Sequence, residues 1–170
     1  QPITDGQVFL VEGATLRAVF TPGHAVDHMC FVLQEENALF TGDNVLGHGY
    51  SVADDLSAYM MSLRRMSSLN CAVGYPGHGA VIRNLPSRIE RYIAQWNLRE
   101  KNVYAALVEH TGGTNSCGNG ASKRGLSLAE IAHALYGELS KDTEVFEMAL
   151  KPFLSQVLCM LTEHGKLGLT

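Results

Sequence analysis

Three residues stand where a folded chain could grip a divalent cation. His24 ends the run Thr21-Pro22-Gly23-His24, Asp43 ends Thr41-Gly42-Asp43, and His78 sits in Pro76-Gly77-His78-Gly79. Imidazole and carboxylate lone pairs coordinate a metal only when a rigid base brings them together, and side chains at the ends of successive strands converge in this way. A glycine before each one lets the backbone turn sharply. The three lie 19 and 35 residues apart, which suits ligands assembled by a fold. Singly, each has an ordinary reading, because a histidine after Pro-Gly and a Gly-Asp pair are common turn chemistry. Turn chemistry alone does not explain strand, glycine and ligand-type residue recurring three times.

The elements that must position them are legible in outline. Leu16-Arg17-Ala18-Val19-Phe20 reads as a strand stopped by Pro22-Gly23. Met29-Cys30-Phe31-Val32-Leu33 is a continuous apolar run of the kind a strand covered on both faces requires, and Ala38-Leu39-Phe40-Thr41 is a third strand after the polar turn Glu35-Glu36-Asn37. The periodicity predicts a helix over about 54–66, with Leu56, Tyr59, Met60 and Leu63 at helical spacing. Met61 and Met66 join that group as core. Cys71-Ala72-Val73-Gly74-Tyr75 is a further strand. From Pro86 a long amphipathic helix follows, carrying Ile89, Ile93, Trp96, Val103 and Leu107 on one stripe. Residues 111–125, rich in Gly, Ser and Asn, read as a loop. Ser127-Leu128-Ala129-Glu130 forms a capping box that opens another helix, two more helical pieces are divided at Pro152, and Gly165 is placed as a C-cap.

Composition bounds the function. The chain has 170 residues, 46% hydrophobic and 18% charged, so it can bury a core and is not a disordered chain. With 13 Lys+Arg against 17 Asp+Glu the net charge is −4, which supplies no general field for phosphate backbones or anionic lipid. No apolar run in the sequence approaches the ~18 residues of a membrane span, and a soluble cytoplasmic protein is expected. Cys30, Cys71, Cys117 and Cys159 form no CxxC pair; buried thiols are expected at the three that sit in apolar segments, Cys30, Cys71 and Cys159. His48, His110, His133 and His164 read as surface or partly buried residues. Glu130, Glu138, Asp142, Glu144 and Glu147 make the C-terminal helices too acidic for nucleic acid and better suited to a lid or a docking surface.

The runs Thr21-Pro22-Gly23-His24-Ala25-Val26-Asp27-His28, Thr41-Gly42-Asp43 and Tyr75-Pro76-Gly77-His78-Gly79 resemble, in order, motifs of the metallo-β-lactamase superfamily. The resemblance implies an α/β fold: the second half of an αββα sandwich over residues 1–109, then a small helical, winged-helix-like region over 110–170. It also implies that His24 and His78 bind opposite members of a zinc pair bridged by Asp43. Asp27 and His28 read as supports for an imidazole from behind or, equally, as structural residues of the turn. The family's His-x-His-x-Asp-His motif, with the remaining ligands and the proton-transferring aspartate, is absent. The chain therefore reads as N-terminally truncated, with an incomplete site and no catalytic acid of its own.

The texture of His28-Met29-Cys30-Phe31-Val32-Leu33 and of residues 41–49 is similar to the β-lactamase-type thioesterases of fungal polyketide clusters. By that resemblance the expected substrate is an aromatic polyketide held as a thioester, and the expected partner is the acyl carrier protein domain of a non-reducing polyketide synthase; nucleic acid and membrane are not expected partners. Two other readings stand beside it, a single-strand endoribonuclease of the same fold and a non-catalytic interaction module.

Overall fold

The computed structural model describes residues 2–112 and 125–167. Most of the expected Gly/Ser/Asn-rich loop, including Cys117, lies outside the described residues. The chain divides into two compact units, Gln1–Gln95 and Trp96–Thr170.

The first unit is built on a five-stranded sheet in the order β1 (Val8–Val11), β2 (Ala14–Phe20), β3 (Met29–Leu33), β4 (Ala38–Gly42) and β5 (Val73–Pro76). The first four strands pair antiparallel, and β5 pairs parallel to β4 after α1 (Leu56–Ser68). It follows that β2, β4 and β5 all run one way, so their C-terminal ends lie along one edge of the sheet. β3 runs the other way and begins at that same edge. The sheet thus delivers the residues after β2, β4 and β5, and those just before β3, to one place.

The expected strands appear, with β1 in addition: a short edge strand that turns back through Glu12-Gly13, where Gly13 has φ +80°. The double cover expected for β3 is not found. Cys30 and Val32 are buried, whereas Met29, Phe31 and Leu33 are half-buried, as in an antiparallel strand with unlike faces. Register places Ala18, Phe31, Phe40 and Tyr75 in one row across the sheet, and Phe9 stands 6.3 Å from Phe31 on that half-open face. The opposite face carries Val19, Cys30 and Leu39, all at zero exposure.

α1 begins at Asp55, whose carboxylate accepts from the Ala58 N–H and so satisfies one of the free donors of the first turn. Its Leu56, Tyr59, Met60, Leu63 and Met66 are buried, as their spacing requires. The expectation of core fails for Met61, which is 69% exposed in the folded chain. Ser62 donates to the Pro22 carbonyl and Arg65 to that of Phe20, tying α1 to the end of β2. α2 (Leu85–Gly112) opens with Leu85, Ile89 and Tyr92 in the first unit's core.

The described part of the second unit is helical. Trp96, Val103 and Ala106 of α2 are buried, and the Trp96 ring stacks on Phe153 at 6.1 Å beneath the Arg99 guanidinium. α3 (Leu128–Tyr136) starts at the expected capping box, with the Ser127 and Glu130 side chains each bonded to the other's backbone N–H. After a 3₁₀ turn, Gly137–Lys141, the helical turn α4 (Thr143–Val145) passes through π geometry at Phe146–Leu150 into α5 (Lys151–Glu163). No break falls at Pro152. It occupies the first turn of α5, where a missing N–H costs little.

This continuous stretch, Thr143–Glu163, is long and apolar enough by length and composition to cross a membrane. Its Leu150, Leu154, Val157, Met160 and Leu161 are nevertheless buried in the unit's core. Cys159 is exposed rather than buried, because that inward face is set by positions 154, 157 and 161 and leaves 159 on the other side; Cys30 and Cys71 are buried as expected.

Candidate metal centre

His24, Asp43 and His78 stand at the common edge of the sheet. His24 Nε2 lies 3.8 Å from Asp43 Oδ2, and His78 Nε2 lies 3.6 Å from Asp43 Oδ1, so the two imidazoles address opposite oxygens of one carboxylate. Both distances exceed a hydrogen bond. They approach the ~3.4 Å that separates two ligands each about 2.1 Å from a tetrahedral ion. The side chains of His24, Asp43 and His78 are 33%, 38% and 69% exposed, so the centre opens to solvent mainly on the His78 side.

The orientation of the His24 ring follows from its partners. Its Nδ1 lies 2.8 Å from the Val52 carbonyl, which can only accept, so Nδ1 carries a hydrogen and Nε2 is the ring nitrogen turned to Asp43. Ser51 Oγ reinforces the clamp: it donates to the Asp43 carbonyl and lies 3.3 Å from His24 Nδ1.

Asp43 Oδ1 supplies the test of fit. It is buried and has no hydrogen-bond partner, a costly state for a carboxylate oxygen that nothing else neutralises. Gly77 leaves the space beside it open, since a Cβ there would stand 2.6 Å from Oδ1. The donor set suits part of a zinc coordination sphere on either side of Asp43. It does not complete one: among the described residues no group of three or more His, Cys, Asp or Glu side chains is arranged to hold an ion.

The loops that carry these residues are laced together. The Gly77 N–H donates to the Gly42 carbonyl and the Gly47 N–H to that of His78. Asn44, fully buried, donates to the Thr21 carbonyl and accepts at its own carbonyl from the Tyr59 hydroxyl. Across residues 46–50, Arg88 donates to the Leu46 and Gly49 carbonyls, and the Tyr92 hydroxyl accepts from the Leu46 N–H and donates to Gly49. The Arg88 guanidinium lies over the Tyr92 ring at 5.3 Å.

His28 turns inward. Its Nε2 accepts from the Asp43 backbone N–H at 3.2 Å, and its ring stands edge-on to that of His24, with centroids 5.9 Å apart. Burial, with His24 nearby, holds its pKa below the usual histidine range. Asp27 is exposed on the turn, and its influence is a minor electrostatic pull on His28 in the upward direction. His48 is exposed, with its ring against Gly79. Ser51, Asn44 and the Val52 carbonyl were not among the residues picked from sequence. No spacing rule points to a serine or a main-chain carbonyl in a loop.

The metallo-beta-lactamase superfamily model matches residues 1–78. The chain is 53% identical to a thioesterase, pkgB, of Emericella nidulans, over 98% of the chain and 56% of that protein. It is 56% identical to the lactamase-like protein nscB of Aspergillus fumigatus, over 99% of the chain and 51% of that protein. Among solved structures, a metallo-beta-lactamase family protein of Thermus thermophilus matches 98% of the chain and 50% of its own length, at 26% identity and a TM-score of 0.68. The chain thus spans about half the length of the curated relatives it matches.

Proposed function

The chain belongs to the metallo-beta-lactamase superfamily, and from that premise we propose that it is part of a metal-dependent thioesterase that releases an aromatic polyketide from the acyl carrier protein domain of a non-reducing polyketide synthase. The observation that carries the metal reading is the placement of His24 and His78 at opposite oxygens of Asp43. The thioesterase reading is supported by the relative that bears that name.

Members of the superfamily usually bind metals such as zinc, and we assign His24 and Asp43 Oδ2 to one zinc ion and Asp43 Oδ1 and His78 to a second. Bound there, such ions would lower the pKa of water and stabilise negative charge developing on a thioester carbonyl oxygen. The chain's own residues prepare that site. Val52 and Ser51 orient His24, and Asp43 contributes two anionic oxygens from a fixed turn. Two protein ligands per ion fall short of the ~3 that catalytic zinc sites retain. The remaining ligands and the proton-transferring aspartate are therefore assigned to the portion of the relatives' length that this chain does not span.

The same portion is proposed to cover the half-open sheet face of Phe9, Phe31, Phe40 and Tyr75. Residues 1–109 then form part of the hydrolase domain, and 110–170 a helical appendage serving as lid or carrier-protein dock.

The test is thiol release from an aromatic acyl thioester in the presence of zinc, run beside single-stranded RNA as an alternative substrate. Thioester turnover that disappears in Asp43→Asn, with RNA left intact, is the expected result. RNA cleavage without thioester turnover would establish the endoribonuclease reading instead, and neither activity from the protein at its relatives' full length would leave a non-catalytic module.

A further inference from the structure

Around Asp43 the hydrogen bonds run in one direction. The Asp43 backbone N–H can only donate, so His28 Nε2 accepts from it and the ring hydrogen sits on Nδ1. That Nδ1–H faces Thr21 Oγ1 at 3.0 Å. Thr21 spends its own hydroxyl hydrogen on Cys30 Sγ at 3.2 Å, and the Cys30 thiol donates onward to the Thr41 carbonyl at 3.5 Å. Thr21, Cys30 and Thr41 are all at zero exposure. The chain therefore starts at the backbone of Asp43, passes through three side chains, and ends on the backbone two residues earlier.

The groups around this N–H in the turn have partners of their own. The Asn44 N–H goes to the Thr41 carbonyl, the Gly42 carbonyl accepts from Gly77, and the Thr41 hydroxyl goes to the Val45 carbonyl. Gly42 has φ +51°, and a Cβ on it would lie 2.6 Å from His28 Nε2. A side chain at 42 would thus be strained and would also displace the imidazole. Backbone conformation and ring position at this point are matched to each other.

We propose that His28 is a positioning residue, fixed in a single tautomer by the Thr21–Cys30 hydrogen-bond chain, that locks the main chain at Asp43 and so aims its carboxylate between His24 and His78. The proposal rests on the metal reading of Asp43 given above. A ring nitrogen used as an acceptor suits this task, because it anchors the turn at the backbone of Asp43 and leaves both carboxylate oxygens to a metal. Groups that orient ligands from behind in this way typically change metal affinity by about 10–100-fold when they are lost.

The experiment is nitrogen NMR on the ¹⁵N-labelled chain, joined to a zinc titration. Expected for the wild type are the Nδ1–H tautomer of His28 and a coupling across the hydrogen bond between the Asp43 amide nitrogen and His28 Nε2. Thr21→Val, which removes the acceptor, should scramble the tautomer and weaken zinc binding at least about tenfold, whereas Thr21→Ser should restore both. The Nε2–H tautomer in the wild type, absence of the coupling, or zinc affinity unchanged in Thr21→Val would each overturn the proposal. The first two need no variant, so a Thr21→Val chain that fails to fold still leaves a decision.

A wild-type chain that shows the coupling but takes up no zinc would overturn the metal reading separately. Positioning is then read from the order parameter of the Asp43 amide, expected to fall from about 0.85 to below about 0.6 in Thr21→Val, and overturned if it stays at the wild-type value.

Discussion

His78 Nε2 stands 3.6 Å from Asp43 Oδ1, a buried carboxylate oxygen that accepts no hydrogen bond. A bare anionic oxygen held beside an imidazole is unfavourable unless a positive charge is shared between them. The relationship depends on Gly77, which leaves the space next to Oδ1 free.

Gly77→Ala should therefore damage the site while sparing the fold. The added Cβ meets Oδ1 at 2.6 Å, but position 77 is exposed and its backbone does not need a positive φ. A fall in zinc affinity of about tenfold or more is expected, comparable to the loss of an orienting group, with an unchanged circular dichroism spectrum. Gly125→Ala is the control, because among the described residues nothing lies within 4 Å of its added methyl. Equal zinc titrations for the two variants would remove the steric account of Gly77.

Arg88→Ala should loosen the loop over residues 46–50. The guanidinium donates to the Leu46 and Gly49 carbonyls and stacks over Tyr92. Hydrogen bonds from a charged donor are worth about 1.5–3 kcal/mol, so amide hydrogen exchange at residues 47–50 should accelerate at least about tenfold. Lysine at 88 should rescue only in part, since it lacks the two-pronged donor geometry. Exchange rates unchanged from wild type would show that Tyr92 alone holds the loop.

The Asp5 carboxylate ties the chain before β1 to α1 and β2, and it makes stability depend on acid. It accepts from the Phe20 N–H at 2.7 Å and from Arg65 at 2.7 Å and 2.9 Å, and these bonds hold its pKa below the usual carboxylate value. The unfolded chain then takes up the proton first as pH falls. The stabilisation is present above the unfolded pKa of about 3.9 and is lost below it, down through the lowered folded value. Urea midpoints between about pH 2.5 and 6 should fall on acidification more steeply for wild type than for Asp5→Asn; parallel curves would mean that Asp5 carries no such linkage.

How much of this was legible in the sequence depends on what each residue contributes. His24, Asp43 and His78 stood out because a glycine at a strand end before a ligand-type residue is a local pattern, and the parallel sense of β2, β4 and β5 then delivers all three to one edge. The buried stripe of α1 and the capping box of α3 are local for the same reason. β1 escaped because four residues at an edge carry little periodicity. Cys159 was misplaced because an apolar segment does not say which way one helical position faces.

Ser51, Asn44 and the Val52 carbonyl act through main-chain atoms and contacts 8–28 residues away in sequence, which leave no mark in residue type. His28 reads from sequence as a support for an imidazole or as a turn residue; its ring does stand edge-on to His24, and its further contact with the backbone of Asp43 depends on β3 starting at the edge where β4 ends.

The most direct measurement of the shared-cation claim is a zinc titration of the purified chain beside Asp43→Asn, His24→Ala and His78→Ala, each checked for retained secondary structure. Weak but saturable binding by the wild type, reduced at least about tenfold by each substitution, is the predicted result. Zinc bound equally well by Asp43→Asn would contradict it, because no cation could then be held between the two imidazoles through that carboxylate.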